Sequence, residues 1–260
     1  MKPPSRSAWA WTALVFLAFV ATRAPAQTTP ALLADESFTY ANGSIVGTTG
    51  GSGWNGAWIN PYSQSPLAVS GNRLIHDGAS TIEAAGRALS LRLSSATASE
   101  AYILFDAQFS TQSGGGTPNL RLIDTSAGNA VTGGLGNNGH SQTYGILGAN
   151  LAQGANTSVS LATAARILFK IDYVNNQSSL WVSTGAAWDV AALPTSGADA
   201  TFAAAPQFDR LDLYVRNLSN FDNLRVYTTA IPEPANAAAL AGLAILTLTL
   251  TRRKPTRHPV

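Results

Sequence analysis

The chain has no cysteine, a single methionine, and charge on only 12% of its 260 residues. Without cysteine there is neither a disulfide framework nor a thiolate metal site. Sparse charge beside 45% hydrophobic residues excludes a charge-rich disordered segment. Only His76 and His140 lie in the central part, with no H-x-x-x-H pair, so a zinc site of ordinary spacing is excluded and both read as surface or loop residues. No G-x-S-x-G elbow and no E-x-D-x-E strand occur, and Asp209 and Asp212, three apart, fall on opposite faces of a strand. The run Gly51 to Gly56 satisfies G-x-G-x-x-G, but Ala57-Trp58-Ile59-Asn60-Pro61 cannot open the helix that a dinucleotide site needs.

The formal charge of +2 is misleading, because seven of sixteen basic residues sit in the first 23 and last nine positions. Between Thr28 and Thr251, nine Lys and Arg stand against fourteen Asp and Glu, a net of −5. The folded part is acidic, and nucleic acid is not an expected partner.

Both ends carry transport signals. Lys2 and Arg6 precede an apolar run from Ala8 to Ala21, and Ala24-Pro25-Ala26 follows, so residues 1–26 read as a secretory signal peptide cut by signal peptidase after Ala26. The run is shorter than the roughly 20 residues that span hydrocarbon. At the other end, Ile231-Pro232-Glu233-Pro234 leads into a charge-free run from Ala235 to Thr251, closed by Arg252, Arg253, Lys254 and Arg257. At about 1.5 Å per residue this run reaches ~26 Å, a bare membrane span. The positive-inside rule keeps the basic cluster cytoplasmic while the signal peptide sends the body outward.

Pro232-Glu233-Pro234, a hydrophobic helix over 235–251 and a terminal basic cluster together resemble the PEP-CTERM sorting signal, here spanning 231–260. The resemblance implies recognition by a membrane-embedded exosortase in a Gram-negative bacterium that makes exopolysaccharide. It further implies export across the inner membrane, transient anchoring, and cleavage near Pro232 to Pro234 with delivery to the cell surface or medium. The prolines suit this role, since they hold the segment extended and open to a protease.

The body, residues 27–230, has a periodicity of two. Leu89, Leu91 and Leu93 alternate with Ser90 and Arg92, and Ala101, Ile103, Phe105 and Ala107 alternate with a wet face of Tyr102, Asp106 and Gln108. Ile167, Phe169, Ile171 and Tyr173 share a face before Asn175-Asn176-Gln177-Ser178 turns the chain into Leu180-Trp181-Val182, the clearest hairpin. Leu211, Leu213 and Val215 point one way from a later strand, and a last strand covers Asn223 to Thr228. About a dozen short strands with no βαβ rhythm predict an all-β antiparallel jelly-roll β-sandwich. Short pieces of the body, Glu36-Ser37-Phe38, Gly53 to Trp58, Lys170 to Tyr173 with Leu180 to Val182, and Phe221 to Val226, resemble concanavalin A-like (laminin G-like) sandwich domains. That resemblance implies carbohydrate binding, frequently around calcium.

Two constellations are candidates for binding. Trp54, Trp58 and Tyr62 lie close together, and flat aromatic faces stack on sugar rings; alternatively Trp54 and Trp58 plug the end of the core. Asp35 or Glu36 on the first strand and Asp222 on the last supply oxygen ligands for calcium if the terminal strands pair; alternatively they are solvated acids on edge strands. The sequence therefore predicts a non-catalytic exported surface or extracellular-matrix protein associated with extracellular polysaccharide, and no enzyme. The alternatives are a lectin-like module and a glycosidase or polysaccharide lyase, the last of which needs two carboxylates converging in a cleft.

Overall fold

A computed structural model describes residues 29–76, 81–109, 119–136, 142–216 and 220–229. The signal peptide, Pro232 to Pro234, the hydrophobic run 235–251 and the basic cluster Arg252 to Lys254 lie outside the described residues, as does His140. Within them the chain forms two sheets. The nine-stranded sheet contains β1 (Ala31–Glu36), β2 (Gly43–Ser44), β5 (Ala68–Ser70), β6 (Arg73–Ile75), β8 (Glu100–Gln108), β13 (Ala165–Asp172), β14 (Gln177–Ser183), β15 (Ala200–Phe202) and β17 (Asn220–Thr229). The eight-stranded sheet contains β3 (Trp54–Ile59), β4 (Ser65–Pro66), β7 (Ile82–Leu93), β9 (Asn119–Asp124), β10 (Ala130–Gly136), β11 (Thr143–Leu147), β12 (Gln153–Ser160) and β16 (Phe208–Arg216). Along the first the order is β15-β14-β13-β8-β17-β6-β5-β2, with β1 beside β17; along the second it is β12-β11-β10-β9-β16-β7-β3, with β4 beside β7. All pairings are antiparallel except the two-residue β4–β7 contact. The chain passes repeatedly from one sheet to the other, which gives the antiparallel jelly-roll sandwich expected from the sequence.

The alternation read from the sequence builds the core between the sheets. Ile103, Phe105, Ile167, Phe169 and Ile171 face inward from one sheet, and Leu120, Leu122, Leu211, Leu213 and Val215 from the other, all buried in one cluster. Each such side chain contributes about 1.5–3 kcal/mol by leaving water. The hairpin joins β13 to β14 with Asp172 opposite Gln177, and Asn176 takes the positive φ (50°) that its short amide side chain tolerates. β1 pairs with β17, so the terminal strands do meet.

Three expectations change. Leu91 does not share the inward face of Leu89 and Leu93: the β7–β16 register jumps between Leu93 and Ala88, and Leu91 is left 38% exposed. Tyr102 is not on a wet face. With Leu104, Leu168, Trp181 and Tyr227 it forms a second apolar cluster on the outer side of the nine-stranded sheet, packed by Trp188, Val190, Leu193 and Ala198. Trp181 donates its indole N–H to the Ser196 carbonyl (3.2 Å) and Trp188 to that of Arg166 (3.1 Å), which pins this covering segment. His76 is not a surface residue but fully buried, with Nε2 2.9 Å from the Thr81 carbonyl.

Candidate functional site

Trp54 and Trp58 come together with ring centroids 6.1 Å apart, but around a protein group. Glu36 on β1 and Arg87 on β7 form an ion pair at 2.6 Å that joins the two sheets, with side chains 1% and 3% exposed. The Arg87 guanidinium carbon lies 5.4 Å and 5.8 Å from the Trp54 and Trp58 ring centres, and its nitrogens donate to the carbonyls of Gly50 and Gly56. Glu36 also accepts from the Tyr40 hydroxyl (2.6 Å), the Trp58 indole N–H (3.2 Å) and the Phe38 amide (2.9 Å). Trp58, 1% exposed, packs against Phe38 and leaves no face to a sugar, while the Trp54 indole N–H is held by the Asp35 carbonyl (3.0 Å). The aromatic pair is the core plug of the alternative reading, stiffened by a buried ion pair. The glycine-rich loop serves the same packing. Gly53 has φ +76°, and a β-carbon there would overlap the Leu33 carbonyl on β1.

The candidate calcium ligands do not converge. Asp35 and Glu36, as neighbours on a strand, point to opposite faces. Glu36 is committed inside, and Asp35 pairs with Arg225 across the strands at 2.9 Å. Asp222 lies two residues past the partner of Glu36, Leu224, and faces a different acid.

That acid is Asp106. In the register of the nine-stranded sheet, Ser183, Arg166, Asp106 and Asp222 lie in one row across β14, β13, β8 and β17. The outward side chains line a cleft of about 280 Å³ together with Arg73, Gln108, Thr184 and Asn220. Arg166 Nε is 3.6 Å from Asp106 and Arg73 Nε is 4.0 Å from Asp222, so the charges run plus, minus, minus, plus. Like charges directly opposite on neighbouring strands repel. Asn223 answers this from a bulge, where φ is +53°. Its amide donates to Asp222 (2.8 Å) and its side chain donates to Asp106 (2.8 Å). Partial burial raises the Asp222 carboxyl from its ordinary value, with the Asp106 charge adding to the rise and Asn223 and Arg73 opposing it. An adjoining cleft of about 200 Å³ shares Asp106 and Arg166 and is walled by Trp188, Asn223 and Arg225.

The row and the adjoining cleft offer acceptors, donors and an aromatic edge side by side, the set that a polyhydroxylated ligand engages. Sequence reasoning placed Asp106 on an outward face and grouped Asp222 with Asp35 and Glu36, whereas the register sets Asp222 opposite Asp106. Asp106 and Asp222 are joined only by strand register, and no local spacing marks them. The two carboxylates in a cleft required by the glycosidase alternative are thus present, though on neighbouring strands and not within one.

Tyr62 is separated from the two tryptophans and lies on the outer side of the opposite sheet. Its hydroxyl donates to Asp212 (2.8 Å), which Arg210 grips through two nitrogens at 2.7 Å and 2.9 Å. Burial and the Asp212 charge push the Tyr62 phenol up to about 12.

No family model and no curated protein matches the chain. Among solved structures, a Trypanosoma rangeli sialidase carrying 2,3-difluorosialic acid aligns with 78% of this chain at 13% identity and a TM-score of 0.45. A non-specific endo-β-1,3(4)-glucanase aligns with 78% of this chain and 92% of its own at 11% identity and 0.49. A Bauhinia forficata lectin in complex with GalNAc aligns with 77% and 99% at 9% identity and 0.43. The chain spans about a third of the length of that sialidase, 32%. The expectation that the chain is no enzyme is withdrawn, because glycosidases stand among the similar structures. At such identities and scores the matches assign no activity, substrate or residue to this chain.

Proposed function

We propose that the chain is an exported surface or extracellular-matrix protein whose sandwich binds extracellular polysaccharide in the cleft of Arg73, Asp106, Arg166 and Asp222. The observation that carries this reading is the row of two carboxylates between two guanidinium groups, with Asn220, Gln108 and Trp188 around it. Carboxylates accept from sugar hydroxyls, guanidinium groups donate to them, and the balance of two positive against two negative charges suits a neutral glycan. In the same proposal signal peptidase removes residues 1–26, and an exosortase cuts near Pro232 to Pro234 after Arg252, Arg253 and Lys254 stop transfer.

The acid pair itself favours a second reading, glycoside hydrolysis. Directly opposed strand residues have Cβ atoms about 4.5–5.5 Å apart, and paired carboxylates about 5–5.5 Å apart serve retaining glycosidases. One experiment tests both. The purified protein is co-sedimented with a panel of insoluble neutral and acidic polysaccharides, and the supernatants are assayed for new reducing ends. Saturable retention on a neutral glycan supports binding, and new reducing ends lost in Asp222→Asn support hydrolysis. Retention on no polysaccharide overturns both readings. For the sorting part, unchanged processing after replacing Arg252, Arg253 and Lys254 with Gln overturns the exosortase assignment.

A further inference from the structure

On the outer side of the eight-stranded sheet, opposite the cleft, β16 presents Arg210, Asp212 and Tyr214 and β9 presents Asn119 and Arg121. Asp212 stands directly between Gly86 of β7 and Arg121 of β9. Opposite Tyr214, Asp212 and Arg210, β7 contributes only the small residues Ala84, Gly86 and Ala88, and Pro61 and Tyr62 pack against this part of the face. A β-carbon on Gly86 would run into Asp212 and touch Pro61 at 3.3 Å. Tyr62 and Tyr214 meet edge to face at 5.4 Å. Over both lies Arg121, its guanidinium carbon 3.7 Å from the Tyr214 ring centre and 4.9 Å from that of Tyr62.

The charge of Arg121 is unusual in its setting. Arg87, Arg92, Arg166, Arg210 and Arg225 each pair with a carboxylate, whereas Arg121 makes no ion pair among the described residues. Its Nε is out of contact with water and has no hydrogen-bond acceptor. Asp212, the nearest strand partner, is taken by Arg210 and Tyr62. In a body (residues 27–230) where nine Lys and Arg stand against thirteen Asp and Glu, a net of −4, a partly exposed arginine is thus held by two aromatic rings with no ion-pair partner among the described residues. Rings hold a cation without consuming its charge, so the planar fork stays able to take a carboxylate through two nitrogens. Tyr62 and Tyr214 hold it in place while each stays partly exposed beside it.

We infer that Arg121, Tyr62 and Tyr214 form a second binding site, for the carboxylate of a uronic-acid unit in an anionic polysaccharide. This site is independent of the cleft and lies on the other face of the sandwich. A protein that holds a neutral glycan on one sheet and an anionic one on the other bridges two polysaccharide chains, a function that binding at a single cleft does not supply. The bridging role rests on the cleft reading; the uronate site does not.

The test titrates the full protein with oligogalacturonate at low and at high salt, and separately with a neutral gluco-oligosaccharide, for wild type and Arg121→Met. The expected result is oligogalacturonate binding that weakens with salt and falls at least tenfold in Arg121→Met, with neutral-sugar binding unchanged. Hydrogen exchange on the wild-type protein gives a check that needs no variant: oligogalacturonate should protect β9 and β16, not β8 and β17. Failure of wild type to bind oligogalacturonate at low salt, equal binding by Arg121→Met, or protection confined to β8 and β17 overturns the inference. Loss of neutral-sugar binding alone, with the uronate arm intact, overturns the cleft reading and leaves this site standing.

Discussion

Removal of the Arg87 side chain tests what holds the two sheets together at the plugged end. Glu36 and Arg87 are almost completely buried, and the carboxylate is further held by Tyr40, Trp58 and the Phe38 amide. Arg87→Met keeps much of the volume but leaves Glu36 as a buried charge with only neutral donors. Breaking a buried pair by removing one member costs about 3–5 kcal/mol. For a domain of this size that lowers Tm by roughly 6–20 °C, at 2–4 °C per kcal/mol. Glu36→Gln leaves Arg87 with its two carbonyl acceptors and the two indole rings, so its cost lies at the low end of the same range. The double variant carries no buried charge, and exchange of a buried pair for uncharged groups is often close to neutral. It should therefore be more stable than the Arg87→Met single variant, with a coupling energy of about 2 kcal/mol or more in a double-mutant cycle. Equilibrium urea unfolding of the four proteins, followed by tryptophan fluorescence, measures this directly because Trp54 and Trp58 flank the pair. Single-variant costs below about 1 kcal/mol that simply add would refute the reasoning and place the pair among surface-type ion pairs.

Other outcomes follow from the same geometry. Gly53→Ala combines a positive φ with overlap on the Leu33 carbonyl, so it should lower stability by about 2 kcal/mol or more in the urea midpoint, whereas Gly56→Ala, with nothing near its β-carbon position, should cost less. Asp124 is held at about 2, below its ordinary value, by hydrogen bonds from Arg92 and Ser126. A depressed carboxyl stabilises above its unfolded pKa, so this contribution should be full above about pH 4 and lost as the pH falls toward 2. Asp124→Asn should flatten the acid limb of the stability profile there. Asp222 is raised, first by burial and then by Asp106. Acidification should therefore weaken glycan binding from a higher pH than an ordinary aspartate would, and Asp106→Asn should move that midpoint down; a calorimetric titration at several pH values reads it.

Much of the sandwich can be read without coordinates, because burial on one face of a strand leaves a period of two in the sequence, as in Ile167 to Tyr173 and Leu211 to Val215. The exceptions have local causes. Leu91 is displaced by a register jump that no residue in β7 announces, and Tyr102 is buried by a segment some ninety positions away that settles on the outer face. The tryptophan pair is equally visible in the sequence, but its purpose is not, since Arg87 and Glu36 reach it from two other strands. Tyr62, which sequence proximity groups with those tryptophans, crosses to the outside of the sheet at Pro61. The cleft is the least legible part. Arg73, Asp106, Arg166 and Asp222 come from four strands and become neighbours only through register, so each alone reads as an ordinary solvated charge on an alternating strand.

The central claim is that this cleft holds a neutral glycan. The most direct measurement is the affinity of the neutral oligosaccharide selected by the polysaccharide panel for wild type and for Asp106→Ala/Asp222→Ala, both checked for equal far-ultraviolet circular dichroism. Loss of two charged acceptors, at about 1.5–3 kcal/mol each, predicts at least a tenfold weaker complex for the double variant. Equal affinity in a folded double variant would contradict the account and move the site elsewhere on the sandwich.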